Sequence, residues 1–348
     1  MNFYTKQHKY YCGIDLHARK MYVCILDQLS NVLIHKNIKS TPENFLELIE
    51  PYKEDMVVAA ECMFTWYWLA DCCNDENIPF VLGHALYMRA IHGGKAKNDR
   101  IDSFKISTIL KGGMLPKAYV YPREMRSTRD LLRRRTHLNR KKGELMAHVS
   151  NTISQYNLPA LNANLKNKNV RDLTEGMFKD KSVQKMIDLD IELIGIYQRK
   201  LEAIEKYIER SAKGHDYQST MILQSIPGVG RVLSLTLLYE IHDINRFPKV
   251  QNFASYARLV KCKKESNGKI YGTSGNKIGN ANLRWAFAEA VVLMMREIPE
   301  VKERVDKLAK KHGKGKAMTI MSHKLGRTVY FMLKRKKYFD KQRFIDWN

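Results

Sequence analysis

The sequence lacks the cysteine patterns of zinc-binding and disulfide-stabilised proteins. Its six cysteines include no C-x-x-C pair and no spacing typical of a zinc site. Four of them stand in apolar stretches, where cysteine behaves as a small hydrophobic residue. This usage is typical of a protein from a reducing compartment, so we expect a cytoplasmic location.

Long apolar runs are also absent. The first ten residues contain no apolar segment of the kind that secretory signals carry. The most hydrophobic stretch, residues 56–70, is too short to cross a bilayer and contains Glu61. We therefore expect a soluble protein with no membrane partner.

Acidic residues are scarce relative to basic ones. The 348-residue chain has 60 Lys and Arg against 36 Asp and Glu, which gives a formal net charge of +24. This excess favours a polyanionic partner, and nucleic acid is a better candidate than a membrane surface. A basic protein without such a partner is the alternative. Hydrophobic residues make up 44% of the chain, enough to build a core, so extensive disorder is not expected.

The first third of the chain has the pattern of an α/β domain. Short runs of β-branched and aromatic residues predict strands, and Thr41 before Pro42 predicts the start of a helix. The apolar run at residues 56–60 is typical of a strand covered on both faces. The predicted elements are strands at 10–14, 21–26 and 32–38, a helix from Thr41, a strand at 56–60, a helix at 64–74 and a strand at 79–82. Their order predicts a mixed sheet with helices.

From about Lys105 onward the pattern becomes helical. Residues 123–142 hold nine Arg or Lys against two acids, which predicts a helix that faces phosphate. Apolar residues at spacings of three and four between 187 and 208 form a coiled-coil-like seam, either for assembly between copies or for packing within one chain. Gly214 predicts a boundary near residue 215. The expected domains are residues 1–125, 126–215 and 216–348, and the expected nucleic-acid contacts of the basic helix are Arg133, Arg134 and Arg135.

Four acidic residues stand at the ends or starts of predicted elements. Asp15 ends the first strand, Glu61 ends the buried strand, and Asp99 and Asp102 share one face at a helix start. Two-metal phosphoryl transfer needs clustered carboxylates, whose mutual repulsion divalent cations offset. Taken singly, Asp15 fits an ordinary turn, and Asp99 with Asp102 fits a plain helix start. Glu61 is harder to explain in this way, because a carboxylate that closes an apolar run is costly unless paired or metal-bound.

The segments around these acids resemble a known family. Gly13-Ile-Asp15, Ala60-Glu61 and Lys97-Asn-Asp99-Arg-Ile-Asp102-Ser are similar to motifs of the DEDD insertion-sequence transposases of the one-ten family, which includes Piv-type invertases. The resemblance implies a RuvC-like, ribonuclease-H-like first domain. It also implies that Mg²⁺ is bound by four catalytic residues: Asp15, Glu61, Asp99 and Asp102. The residues after Glu61, Cys-Met-Phe-Thr-Trp, depart from the small-residue stretch that is frequent in the family.

A glycine-containing turn lies at the start of the third expected domain. Gln224-Ser-Ile-Pro-Gly-Val-Gly-Arg231 is similar to helix-hairpin-helix turns, in which Gly228 and Gly230 would leave backbone N–H groups free for a phosphate. A tight connection between two packed helices explains this segment equally well. Downstream, Arg246-Phe-Pro and Phe253-Ala-Ser-Tyr-Ala-Arg-Leu stand where the family has a similar block.

Residues 263–284 resemble the family's C-terminal transposase domain. There a serine before a glycine precedes a Lys-x-Gly segment and a Leu-Arg helix, and the match implies that Ser266 is the nucleophile. Without the resemblance, Ser266 is an ordinary loop serine, and Ser274 is a neighbouring candidate. A serine hydroxyl is a weak nucleophile until it is activated or meets a strongly electrophilic phosphate. The residues expected to bind nucleic acid here are Lys263, Lys264, Lys269, Lys277 and Arg284.

The C-terminal stretch combines basic clusters with aromatic residues. Residues 310–316 and 334–337 are rich in lysine, and Tyr330, Phe331 and Tyr338 stand near the second cluster. This combination suits contacts with a nucleic-acid backbone and stacking on bases. A solvated basic surface is the alternative.

The resemblance runs from Gly13 to about Lys336, with both halves in the family's order. It implies a prokaryotic DNA recombinase or transposase that exchanges strands through a phosphoserine link, with donor and target DNA as substrates. It further implies a noncoding bridge RNA as guide, and a homodimer or homotetramer in which subunits share sites. The alternatives are a hydrolytic nuclease of the junction-resolvase type, a DNA invertase, and a nucleic-acid-binding protein without catalysis.

Overall fold

A computed structural model describes residues 2–91, 98–161, 165, 167–274 and 278–346. The chain separates into two compact units, Met1–Arg123 and Glu124–Asn348. The division into three domains expected from the sequence remains a prediction. Among the described residues, no helix has both the length and the apolar character that a bilayer crossing requires.

The first unit is built on five strands and four helices in the described residues. The elements are β1 (Tyr10–Leu16), β2 (Lys20–Asp27), β3 (Val32–Lys39), α1 (Pro42–Ile49), a 3₁₀ turn (Glu50–Asp55), β4 (Met56–Glu61), α2 (Trp66–Asp75), β5 (Phe80–Gly83), α3 (Ala85–Ile91) and α4 (Asp99–Lys111). The strands and the first two helices confirm the predicted mixed α/β fold, with shifts of a few residues at their ends. Thr41 caps α1, since its hydroxyl accepts a hydrogen bond from the Asn44 backbone N–H.

The five strands form one mixed sheet in the order β3-β2-β1-β4-β5. β1 pairs antiparallel with β2 and parallel with β4, and β4 pairs parallel with β5. The central strands β1 and β4 are therefore covered on both faces, which is why the run at 56–60 is continuously apolar. This arrangement confirms the ribonuclease-H-like architecture that the sequence predicted.

Side chains alternate between the two faces of β1 and β4. Cys12 and Ile14 of β1 pack with α1 and α2 on one face. Tyr11 of β1 and Val57 and Ala59 of β4 pack with α4 on the other. Because successive strand residues point to opposite faces, Asp15 and Glu61 belong to the face that α4 covers.

The second unit is largely helical, as predicted. Its elements are α5 (Arg123–Gln155), α6 (Lys168–Asp172), α7 (Lys181–His215), α8 (Tyr217–Gln224), α9 (Arg231–Ile241), a 3₁₀ turn (Ile244–Arg246), α10 (Val250–Tyr256), β6 (Cys262–Ser266), β7 (Lys269–Ser274), α11 (Ala281–Glu297), α12 (Pro299–His312), α13 (Lys314–Arg335) and α14 (Lys341–Asp346). Its main core joins the buried α9 to apolar residues of α11 and α13.

The predicted seam lies on α7 and packs within the chain. Every seventh residue of it is buried: Ile187, Ile194, Leu201 and Ile208. Two polar contacts show that α5 and α7 run antiparallel, since Lys142 Nζ donates to Gln198 Oε1 at 2.6 Å and His148 Nδ1 lies 2.5 Å from Asp190 Oδ2. The seam therefore packs within the chain, and a role in assembly between copies remains a prediction.

Candidate active site

The approach of α4 to β1 depends on a glycine. A Cβ atom on Gly13 would lie 2.5 Å from the carbonyl oxygen of Ser103 and closer still to the backbone nitrogen of Ser107. Ser103 and Ser107 are fully buried at this contact. Only glycine leaves room for the helix backbone to touch the strand. The contact holds α4 against β1, two residues from Asp15.

The first turn of α4 carries the second pair of predicted acids. Asn98 caps the helix, and its Oδ1 accepts from the Ile101 backbone N–H at 2.8 Å. Asp99 and Asp102 follow in the first turn. Carboxylates are stabilised there, because the N-terminus of a helix carries partial positive charge. The cap thus fixes where the helix begins and where these two side chains emerge.

Asp15 and Asp99 converge, and a histidine joins them. One ligand atom each from Asp15, His17 and Asp99 lie within 4.8 Å of one another. The His17 Nε2 atom is 3.4 Å from Asp15 Oδ2 and 3.6 Å from Asp99 Oδ1. The sequence analysis missed His17. The available signal was the Asp-x-His spacing at the end of a strand, which places both side chains on one face if the extended backbone continues.

The electrostatics of this cluster centre on Asp15. Burial of its carboxyl group raises its pKa, His17 opposes that shift, and the nearby charges of Asp99 and Asp102 raise the pKa further. The net pKa lies above the ordinary aspartate value. Asp102 therefore lies within electrostatic reach of Asp15. Such a cluster of like charges gains from a bound cation.

Glu61 lies on the neighbouring parallel strand. The register between β1 and β4 pairs Ile14 with Ala60, so Asp15 and Glu61 are the next residues along each strand. Neighbouring strands lie about 4.8 Å apart, and both residues belong to the face under α4. This register predicts that Glu61 lies near Asp15, but the side chains that meet within 4.8 Å in the described residues are Asp15, His17 and Asp99, without Glu61 or Asp102. Carboxylate oxygens with one imidazole nitrogen are a donor set that suits a hard or borderline divalent cation.

The predicted serine lies in a hairpin of the second unit. Ser266 is the last residue of β6, pairs with Lys269 of β7 and is exposed. Lys263 and Lys269 are exposed on the same hairpin, and the backbone of Lys264 pairs with Gly272. Arg284 is exposed in the first turn of α11. Lys277 lies outside the described residues.

The two glycines in the turn between α8 and α9 differ in conformation and in packing. Gly228 has a φ of +79°, and a Cβ on it would lie 2.6 Å from the backbone nitrogen of Met294 in α11. Its conformation and its packing therefore both require glycine. Gly230 caps α9 and has open space around the position of a Cβ. Helix packing therefore explains the glycine at 228. It does not explain the glycine at 230, where the start of α9 has open space around it.

The three arginines of the basic helix have different surroundings. Arg133 donates to both carboxylate oxygens of Glu240, at 2.6 and 2.9 Å. Arg135 pairs with Glu205 at 2.6 Å. Arg134 is exposed. The sequence analysis did not identify Glu240, which is buried and more than a hundred residues away along the chain.

Comparison with known proteins places these features in a family. A model of the DEDD domain of IS110 transposases matches residues 12–158, and a model described as "Transposase IS116/IS110/IS902 family" matches residues 220–306. The two matches cover β1 to α5 and α8 to α12. They include all four predicted acids and Ser266.

Two curated proteins are similar to this chain. The transposase for insertion sequence element IS1111A from Coxiella burnetii is 21% identical over 344 residues, which cover 94% of this chain and 90% of that protein. An uncharacterised 43.6 kDa protein of insertion element IS110 from Streptomyces coelicolor is 27% identical over 154 residues, which cover 43% of this chain and 36% of that protein. With a ribonuclease-H-like sheet, converging aspartates and both family segments in order, the chain belongs to the IS110 family of transposases and carries a DEDD catalytic domain.

Proposed function

We propose that this transposase cuts and rejoins DNA strands of an insertion sequence through a covalent bond to Ser266, with Mg²⁺ bound by Asp15, Glu61, Asp99 and Asp102. The observation that carries the proposal is the convergence of Asp15 and Asp99 at the end of β1. Glu61 follows in the adjacent strand register, and Asp102 acts on the pKa of Asp15. Asp15 and Asp99, more than eighty residues apart in the sequence, supply the acids that support the proposed site.

In this proposal the role of the four acids is to bind Mg²⁺ and hold it in a fixed position. Asp15 and Glu61 stand on stiff strand ends, and Asp99 and Asp102 on a capped helix start, so the carboxylates are preorganised. Bound Mg²⁺ supplies positive charge that offsets the charge developing on the phosphate oxygens. His17 lies against Asp15 and Asp99 and restricts their orientation.

Ser266 supplies the nucleophile in the proposed strand exchange. Its Oγ attacks the phosphorus, an Oγ–P bond forms, and the P–O bond to the leaving deoxyribose oxygen breaks. The serine proton passes to that leaving oxygen. The phosphoserine bond retains the energy of the phosphodiester, so a deoxyribose hydroxyl can reverse the step and join a new strand.

The serine step is tested by trapping the covalent intermediate. Ser266→Ala should abolish the protein–DNA adduct on a denaturing gel, while Ser274→Ala, the matched control in the same segment, should retain it. Asp15→Asn should abolish cleavage altogether. Complete strand exchange by Ser266→Ala would refute the serine role, and cleavage without any adduct would instead support a hydrolytic nuclease.

A noncoding RNA is proposed as the guide that selects donor and target DNA. The net charge of +24 suits a nucleic-acid partner in addition to the DNA substrate. Purification from cells with sequencing of bound RNA should recover one discrete transcript, and strand exchange should depend on it. Equal strand exchange with and without that RNA would contradict the guide.

A further inference from the structure

The β6–β7 hairpin stands apart from the cores of the second unit. Its two strands form a separate two-stranded sheet. Lys263, residues 265–271 and Thr273 are all exposed, and no described residue of the hairpin belongs to a buried apolar cluster. An isolated two-stranded hairpin is marginally stable in water. The stability of this hairpin therefore depends on its turn and on the residues at its base, where it joins the rest of the unit.

The turn is well suited to a tight hairpin. Asn267 and Gly268 join the strands, with φ angles of +49° and +70°. Positive φ at both central residues defines a type I′ turn, whose twist matches that of the strands, and Asn-Gly is the preferred pair for it. The turn fixes Ser266 opposite Lys269 at the tip.

The base of the hairpin is held firmly. The Asn280 backbone N–H donates to the carbonyl oxygen of Tyr256 at 2.6 Å, and Arg258 Nε donates to that of Ile278 at 3.1 Å. The Asn280 side chain also donates to Glu240 Oε2 at 2.7 Å. These contacts close the segment between α10 and α11 where it leaves the core. The hairpin is thus an exposed arm, and hydrogen bonds hold the described residues on both of its sides.

The chemical character of the arm is both cationic and apolar. Between residues 261 and 271 the only acid is Glu265, against four lysines: Lys261, Lys263, Lys264 and Lys269. Near the tip, Ile270 is 55% exposed and Tyr271 is 69% exposed. Exposed apolar side chains in a short ribbon contribute nothing to the cores described above. Together with the lysines they match a partner that offers both negative charge and apolar surface.

We propose that the arm, residues 262–274, enters the major groove of duplex DNA beside the phosphodiester that is cut. The proposal rests on the proposed function, because it is Ser266 at the tip that requires DNA there. The major groove is about 12 Å wide and admits a two-stranded ribbon, and thymine methyl groups offer apolar surface on its floor. Lys263 and Lys269 meet the phosphates, while Ile270 and Tyr271 contact base edges.

The test measures binding of the full chain to a fluorescein-labelled, mixed-sequence DNA duplex by anisotropy over a range of NaCl concentrations. Tyr271→Ala and Ile270→Ser should each weaken binding about tenfold, the loss expected when a large apolar contact is removed. Because neither change removes charge, the salt slope should stay constant. Lys263→Ala should instead lower that slope by about one.

Matched controls separate the arm from apolar surface in general. Tyr207, which is 60% exposed, and Leu189, which is 55% exposed, both lie on α7. Tyr207→Ala and Leu189→Ser should bind the duplex like the unmodified chain. Wild-type duplex affinity in both arm variants would overturn the proposal. So would a loss confined to a single-stranded RNA probe of the same sequence.

The failure of this proposal differs from failure of the proposed function. If Ser266→Ala abolishes the adduct while both arm variants bind duplex normally, the arm proposal alone is wrong. If the arm variants lose duplex affinity while Ser266→Ala still forms the adduct, the arm binds DNA but Ser266 is not the nucleophile.

Discussion

At the scale of single residues, Gly13 is the position on which the geometry of the site depends most directly. Gly13→Ala should force α4 away from β1, because the new Cβ meets backbone atoms of α4 that cannot rotate aside. We expect a lower melting temperature and weaker binding of divalent cations, measured by thermal unfolding and by titration calorimetry. The control is Gly143→Ala in the middle of α5, where a Cβ meets nothing within 4 Å. That change should raise stability by about 0.5–1 kcal/mol. Equal effects of the two substitutions would contradict the role of Gly13.

His17 is expected to alter the choice of metal. Imidazole nitrogen is a better ligand for Mn²⁺ than for Mg²⁺, which prefers oxygen. His17→Ala should therefore weaken Mn²⁺ binding about tenfold, within the range seen when groups that support a metal site are removed, and Mg²⁺ binding less. Electron paramagnetic resonance of free Mn²⁺ measures the Mn²⁺ affinity, and competition with Mg²⁺ in the same experiment measures the Mg²⁺ affinity. His137→Ala, an exposed histidine of α5, is the control. Unchanged Mn²⁺ affinity in His17→Ala would exclude His17 as a ligand.

Of the four acids predicted from the sequence, Asp15 and Asp99 converge in the structure, and the roles of all four remain predictions. Asp15 and Glu61 each close an apolar strand pattern, and parallel strands bring such ends together at one edge. His17 was not predicted, since its partner Asp99 is more than eighty residues away and its own position lies just beyond the strand. Glu240 was also missed. A buried glutamate within an apolar helix gives no sign of which distant arginines neutralise it.

At the scale of elements, Glu240 joins three of them. It is 1% exposed, and it accepts hydrogen bonds from Arg129 and Arg133 of α5 and from Asn280 and Asn282 at the start of α11. Glu240→Ala leaves the buried Arg129 without this partner and should lower the free energy of unfolding by about 3–5 kcal/mol. Chemical denaturation measures this. Glu289→Ala on α11, a residue outside this network, should change stability little.

The same network predicts a pH dependence. Burial opposes ionisation of Glu240, but Arg133, Arg129 and Asn280 outweigh it and lower its pKa below the ordinary value. Because the folded-state pKa is depressed, the ionised carboxylate stabilises the fold above the unfolded-state pKa. That stability is lost as the pH falls through the folded-state value. The difference in unfolding free energy between the wild type and Glu240→Gln should therefore shrink in acid. A difference that stays constant down to the pH of acid unfolding would contradict this.

Helices and strands were predicted best where the apolar pattern was long or where a capping residue marked the start of the element. The strands of the first unit follow from runs of apolar, β-branched and aromatic residues, and the helix at Thr41 follows from cap chemistry. The seam on α7 was recognised by its spacing, but spacing alone does not name the partner helix. The contacts from α5 supplied that answer. The β6–β7 hairpin was not predicted, and Ser266 was expected in a loop, because no described residue of the hairpin belongs to a buried apolar cluster.

At the scale of the whole molecule, the net charge of +24 should dominate affinity for DNA. A protein that contacts six to ten phosphates loses about 10³–10⁵-fold in affinity between 50 and 200 mM salt. We expect a fall of this order for mixed-sequence duplex, measured by anisotropy. Leu189→Ser on α7, which changes no charge, should leave the slope as it is. A nearly flat salt dependence would show that the basic surface does not meet phosphate.

The register of β1 has a consequence for how this chain can vary in length. Deleting one residue between Tyr10 and Asp15 would rotate the carboxylate to the opposite side of the sheet, among the apolar residues that pack on α1 and α2. Deleting two would restore the side but withdraw the carboxylate from its neighbours by one pleat. The turn between β2 and β3 lies at the other end of the strands from Asp15. A change in its length therefore does not alter which face of the sheet Asp15 occupies. Among active relatives, insertions and deletions should therefore be found in the turn between β2 and β3 and be absent from β1.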